Sequence, residues 1–183
     1  MSRFPNKQFE GQTYTFGHLS PKTMVVGIGN PPVNISLHVT FGCHCFTEEF
    51  KEGEHGDHHR YTYKGELRAF DVIRYECSLN LPDVVLPAML NGMIYNAEKS
   101  LTYVSHITLP TETGPQDYSI FFNLEKDRSS AHPAVRMFVK SAYLKSLAAA
   151  PGAQNWRFKG LIADVSQAFP PKPKGAKPKK KRK

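Results

Sequence analysis

The feature that most restricts how this chain can fold is the alternation of Ile35, Leu37, Val39 and Phe41 with Ser36, His38 and Thr40. A period of two places one set of side chains on each face of an extended strand, so the aliphatic set demands a buried face. If the alternation runs on, Cys43 and Cys45 point into the core, and His38, Thr40 and His44 share the opposite face. The stretch Ile35 to Tyr61 also holds two of the three cysteines and five of the eight histidines. After Cys45 the pattern stops, and an acidic Gly- and His-rich run (EEFKEGEHGDHH) reads as a solvent loop. A pocket is expected where strand and loop meet.

Upstream, the first twenty residues are polar with scattered aromatics (Phe4, Phe9, Tyr14, Phe16), the pattern of an extended arm laid on the domain. Thr23 to Ile28 reads as a short buried strand, and the Gly29–Pro32 breakers make a hairpin turn into the central strand. The GxG of Gly27 and Gly29 has no third glycine and no following helix, so it carries no nucleotide-loop signal. Downstream, Leu67, Phe70, Ile73, Cys77 and Leu81 recur at spacings of three and four, which predicts a helix over Glu66 to Leu81. Asp83 is a candidate N-cap for a second helix from Val84 to Asn91, with Pro87 in its first turn and Gly92 at its end. Met93–Tyr95, Leu101–Leu109, Tyr118–Leu124 and Val135–Tyr143 are rich in aromatic and β-branched residues and separated by turn formers, which predicts a four-stranded antiparallel meander. On its last strand, Ser141 and Tyr143 are expected on the side of Val135, Met137 and Val139. Lys145–Ala150 suggests a helical turn, and Asn155–Phe169 a packing helix. The expected fold is α+β: an antiparallel sheet made of a hairpin plus the meander, with a few short helices, forming one domain over residues 1 to 169.

Charge adds a boundary. Of the 24 Lys and Arg, eight lie between Pro170 and Lys183 (Lys172, Lys174, Lys177, Lys179, Lys180, Lys181, Arg182 and Lys183), a segment with no acid, leaving 16 basic against 16 acidic residues before it. The net charge of +8 thus belongs wholly to that tail. With four prolines and no large apolar residue, residues 170 to 183 are expected to be disordered and to contact nucleic acid or another polyanion by counterion release. The opening MSRFPNKQFEGQ has no apolar signal core, few cysteines are present and no run spans a bilayer, so a cytoplasmic, reducing setting without membrane partners is expected.

Two constellations can carry chemistry. The first is acid–base catalysis without a metal or other cofactor by His44 or His59 near Arg68, Arg74 and Tyr75, with Ser141 and Tyr143 across the sheet. Imidazole moves protons near neutral pH, and arginine stabilises the charge that develops on a phosphate ester under attack by a ribose 2′-hydroxyl. The second, held as the alternative, is zinc on Cys43, Cys45, His55 and His58, with His59 nearby; the Cys-x-Cys and His-x-x-His-His spacings match no standard finger. Buried cysteines without a strained elbow are poor nucleophiles, and Asp57, Glu48 and Glu49 read as solubility residues of a loop.

HVTFGCHCFTEEF at His38–Phe50, FDVIRYECSLNLP at Phe70–Pro82 and VKSAYL at Val139–Leu144 resemble small uncharacterised proteins of bacterial plasmids and prophages, which implies a mobile-element setting. A helix followed by a four-stranded meander ending in VKSAY, over Asp83 to Tyr143, is similar to metal-independent ribonucleases of the barnase and RelE type; the candidate histidines His44 and His59 lie outside that region. PKKKRK at Pro178–Lys183 resembles a monopartite nuclear localisation signal, which implies a nuclear address in a eukaryotic host; otherwise a cytoplasmic, nucleoid-associated setting is expected. The leading expectation is therefore a nucleic-acid-associated protein, with a ribonuclease-like activity on His44, His59, Arg74, Tyr75 and Ser141. The rival expectations are a non-enzymatic protein-interaction module with a polyanion-binding tail, and a zinc-stabilised nucleic-acid-binding domain.

Overall fold

A computed structural model describes residues 3–96, 102–145 and 154–169. The expected turn at Lys145–Ala150 falls mostly outside these residues, and the basic tail does so entirely.

The alternating stretch forms the long strand β4 (Val33–His44), with Ile35, Leu37, Val39 and Phe41 almost fully buried. It pairs antiparallel with β3 (Lys22–Ile28) through a turn where Gly29 takes a φ of +90°, a conformation costly for any side chain. The meander also forms, as β8 (Met93–Asn96), β9 (Tyr103–Thr111), β10 (Gly114–Lys126) and β11 (Ala134–Leu144), with each strand antiparallel to the next.

The sheet as a whole corrects the expectation of a purely antiparallel one. Strand β11 runs parallel to β4, from Ala134 opposite Ser36 to Ser141 opposite His44. Hairpin and meander thereby join into one mixed sheet of seven strands, in the order β12–β8–β9–β10–β11–β4–β3, where β12 is Asn155–Arg157. Parallel neighbours need a long crossover rather than a tight turn, and here the crossover is the whole chain between His44 and Ala134.

Three further corrections concern the region from Cys45 to Asn91. The run taken as a loop begins with a strand, β5 (Thr47–Glu49), which joins β6 (Arg60–Tyr63) and β7 (Glu66–Phe70) in a second sheet of order β5–β7–β6. The helix expected from Glu66 starts only at Val72 and ends at Leu79 (α1), because the Asp71 carboxylate accepts the backbone N–H of Arg74 at 3.0 Å and caps it there. Leu67 and Ile73, assigned to the buried helical face, are exposed. The second helical stretch starts at Leu81 as a π turn and runs into α2 (Leu86–Met89), with Pro87 in its first turn as expected; Asp83 caps nothing and instead pairs with Lys22.

The N-terminal arm is a hairpin, β1 (Lys7–Phe9) with β2 (Gln12–Tyr14), held by its aromatics. Phe16 stacks on Phe46 with ring centroids 4.0 Å apart, and Phe4, Tyr61, Phe70 and Tyr75 close round the pair. Each such ring removed from water contributes about 1.5–3 kcal/mol. Helix α3 (Phe158–Ser166) covers the inward face of the large sheet through Phe158, Leu161 and Ile162. Among the described residues, buried side chains from Phe4 to Ile162 form one connected core. No helix among them is long and apolar enough to cross a membrane.

Register shifts shape the end of β4. Between Phe41 and His44 the strand takes three steps while β11 takes two from Val139 to Ser141, and Lys140 is unmatched on β10. The bulge reverses the alternation of β11: Val139 faces in, but beyond Lys140 it is Ala142 that is buried. Ser141 and Tyr143 therefore leave the side of Val139, where the alternation had placed them. Gly42 sits at this bulge because a Cβ there would lie 2.7 Å from the Lys140 carbonyl oxygen. Gly42→Ala is expected to lower stability by about 1–3 kcal/mol in denaturant titration. Gly160→Ala, in α3 with open space around it, is expected to raise it by about 0.5–1 kcal/mol. Equal effects of the two variants would contradict the packing described at the bulge.

Candidate functional site

Beyond the bulge, His44 emerges from β4 with about a third of its side chain exposed. Its Nε2 lies 3.0 and 3.2 Å from the two carboxylate oxygens of Glu66. Glu66 and Arg68 alternate along β7 and so face the same way, and an Arg68 terminal nitrogen donates to the same carboxylate at 3.2 Å. Arg68 Nε also donates to Thr47 Oγ1 at 3.2 Å, and Thr47 Oγ1 donates to the Cys43 carbonyl at 2.8 Å. The Thr47 carbonyl accepts from Arg74 at 2.8 Å. Burial disfavours the Glu66 carboxylate, but the His44 hydrogen bond and the His44 and Arg68 charges outweigh it and hold its pKa below the ordinary value.

Arg74 is the hinge of the group. It reaches Asp71 at 3.5 Å and Glu48 at 4.0 Å, and its guanidinium lies 4.6 Å above the Tyr143 ring, which stacks on Phe121 at 5.3 Å. A guanidinium held over an aromatic face is fixed in direction as well as position.

Of the five residues proposed from the sequence, the structure brings His44, Arg74 and Ser141 to this end of β4 and β11. It does not bring His59 or Tyr75. Tyr75 faces the N-terminal arm, donating its hydroxyl to the Thr15 carbonyl at 3.1 Å. His59 packs against Phe9, with its ring 4.0 Å from that of His58 and 5.4 Å from that of His55, and its Nδ1 is buried without a partner. Glu66 and Thr47 went unrecognised; Glu66 would have surfaced had the Glu-x-Arg spacing been read with period two rather than as the start of a helix.

The metal set Cys43, Cys45, His55 and His58 does not assemble. Cys45 is enclosed, its thiol directed at the Val139 carbonyl at 3.9 Å and pushed up to about 12 by burial. His55 is spent on Glu48 at 2.9 Å and on the Lys51 backbone N–H at 3.0 Å. Among the described residues, one group of three offers ligand atoms to a single ion: Cys43, His44 and Glu66, whose atoms lie within 4.8 Å of one another. Burial and the Glu66 charge raise the Cys43 thiol pKa, so a metal there would have to displace a proton held by its surroundings.

The family model described as the YjaZ family matches residues 6–166, the whole span from β1 through α3. The chain belongs to the YjaZ family. No curated protein and no solved structure matches it significantly. The match covers both sheets of this YjaZ-family chain, so the cluster between β4, β7, α1 and β11 lies within the family region, and the tail beyond Phe169 lies outside it.

The titrating groups set a direction for stability. Burial lowers the pKa of His18, His59 and His106 from 6.5, with His58 and His55 adding to the effect at His59. Below pH 6.5 the unfolded chain therefore binds protons that the folded one refuses, and stability falls as the pH drops. Glu66, lowered from 4.5, adds a second loss below that value. The melting temperature is expected to fall between about pH 7.5 and pH 5.5, less steeply in His59→Gln, and to fall again near pH 4, less so in Glu66→Gln, with Asp127 adding to the loss in both. An unchanged melting temperature down to about pH 5.5 would contradict the burial of these imidazoles.

Proposed function

We propose that this chain is a nucleic-acid-associated protein that cleaves RNA without a metal, with His44 as the proton-transfer group. The observation that carries the reading is the bond of His44 Nε2 to Glu66 at 3.0 Å, with Arg68 on the same carboxylate. Held this way, the ring leaves Nδ1 to exchange a proton with substrate, and the ionised carboxylate stabilises the imidazolium that forms. Nδ1 takes the proton of a ribose 2′-hydroxyl as its oxygen attacks the adjacent phosphorus. The imidazolium then returns a proton to the departing 5′-oxygen, leaving a 2′,3′-cyclic phosphate and a 5′-hydroxyl. Arg74, fixed over Tyr143, is the group placed to stabilise phosphoryl charge. Thr47, Arg68 and Asp71 are positioning residues. The Lys- and Arg-rich tail supplies salt-sensitive attraction, and the mobile-element and nucleoid-associated or nuclear setting belongs to the same proposal, resting on sequence resemblance alone.

The Cys43, His44 and Glu66 group favours a second reading, a zinc-stabilised domain with an open ligand position. It differs in one measurable respect, stoichiometric metal in the purified protein and a large fall in melting temperature with chelator.

Incubation with RNA in EDTA tests the first reading. Products ending in 2′,3′-cyclic phosphate are expected, with His44→Gln and Glu66→Gln reducing the rate by about 10²-fold or more and His132→Gln, on an exposed loop, leaving it unchanged. No cleavage by the unmodified chain, or equal cleavage by His44→Gln, would remove the enzymatic claim.

A further inference from the structure

The large sheet has a second face that the chemistry above does not use. On β11, Val135, Met137 and Val139 face the core, so Arg136, Phe138 and Lys140 face away from α3. Phe138 is 39% exposed, an aromatic among the exposed large apolar side chains described, and its ring edge would lie 3.3 Å from a Cβ on Gly42. On the same face, Phe121 stacks on Tyr143, and Arg74 lies over that tyrosine's ring. None of these three rings belongs to the core or packs against it.

The charges of this face are one-sided at its centre. Strands β4 and β11 contribute His38, His44, Arg136 and Lys140, and between Val33–His44 and Ala134–Leu144 there is no Asp or Glu. Acidic groups lie at its margins: Glu125 is 3.4 Å from Arg136, Asp127 is 4.0 Å from His38, and Glu66 is on His44. Lys140 Nζ donates to the Thr102 hydroxyl at 3.3 Å.

Aromatic rings on a sheet face, interleaved with cations, match the chemistry of unpaired bases, which present a flat π-surface on either side and a phosphate between. We propose that Phe138 stacks a base of single-stranded RNA, flanked by the Phe121–Tyr143 pair, and leads the adjoining phosphate toward His44. This rests on the reading of His44 as the cleavage site and names the form of RNA that reaches it. Gly42 leaves room for the Phe138 ring, whose edge a side chain there would meet at 3.3 Å.

The test is fluorescence anisotropy of full-length protein with a labelled oligouridylate of about ten nucleotides, in EDTA and at about 0.3 M salt to suppress the contribution of the tail sequence. Phe138→Leu keeps the apolar bulk but removes the ring, and is expected to weaken binding about tenfold, while Phe138→Trp stays within about twofold of the unmodified chain. The salt dependence is expected to be the same in all three, because no phosphate contact is removed. Absence of binding, unchanged affinity in Phe138→Leu, or equal loss in Phe138→Trp overturns the platform. So does a concentration-dependent dimer in sedimentation that Phe138→Leu abolishes without changing RNA affinity, which assigns the face to a second copy of this chain. Ring-dependent binding with no cleavage keeps the platform and removes the catalytic reading of His44; His44-dependent cleavage with unchanged KM in Phe138→Leu does the reverse.

Discussion

The parallel pairing of β4 with β11 is the interaction on which the rest of this structure depends. It joins two units that the chain builds separately, a hairpin before His44 and a meander after Gly92, and it does so across the whole of the intervening chain. Closing so long a segment costs little more entropy than closing one half its length, since the cost grows only logarithmically. What it gains is a continuous inward face, on which Leu37, Val39, Met137 and Val139 lie under α3.

The same junction creates the candidate site. Because β4 and β11 fall out of step between Phe41 and His44, Ser141 turns away from the core side of Val139 and ends beside His44, which already faces out. The intervening segment then returns β5, β7 and α1 to this edge, bringing Thr47, Glu66, Arg68 and Arg74 against the strand ends. The aromatic cluster of the N-terminal arm secures that return from the other side, since Phe16 stacks on Phe46, immediately before Thr47, and Phe70 immediately precedes the Asp71 cap of α1. Acid–base residues and hydrophobic packing are thus adjacent in sequence, and loosening one displaces the other.

Much of this was legible in the chain. The strands β3, β4 and β8 to β11 follow from alternation and turn chemistry, and the burial of Cys43 and Cys45 follows from the parity of Ile35 to Phe41. The remainder was hidden for identifiable reasons. Leu67 and Phe70 belong to a strand and Ile73 and Cys77 to a helix, yet Asp71 divides them at a point where period two and period 3.6 give overlapping apolar positions. Nothing local in β4 or β11 announces that they are neighbours, because parallel pairing leaves no hairpin signature. The extra step at Lys140 reverses the faces of Ser141 and Tyr143 without any glycine or proline in β11 to mark it; the glycine that accommodates it, Gly42, is on the opposite strand. His59 and Tyr75 were grouped with Arg74 by residue type and proximity in sequence, whereas neighbouring helical positions point in different directions, so Arg74 and Tyr75 serve different surfaces.

The direct measurement of the central claim is the pattern of interstrand nuclear Overhauser contacts between β4 and β11. The result expected is a parallel ladder running from Ser36 with Ala134 to His44 with Ser141, with one irregular step next to Gly42. Contacts running in the opposite sense, or none between these two strands, would contradict the joined sheet and with it the placement of His44, Arg74 and Ser141 in one site.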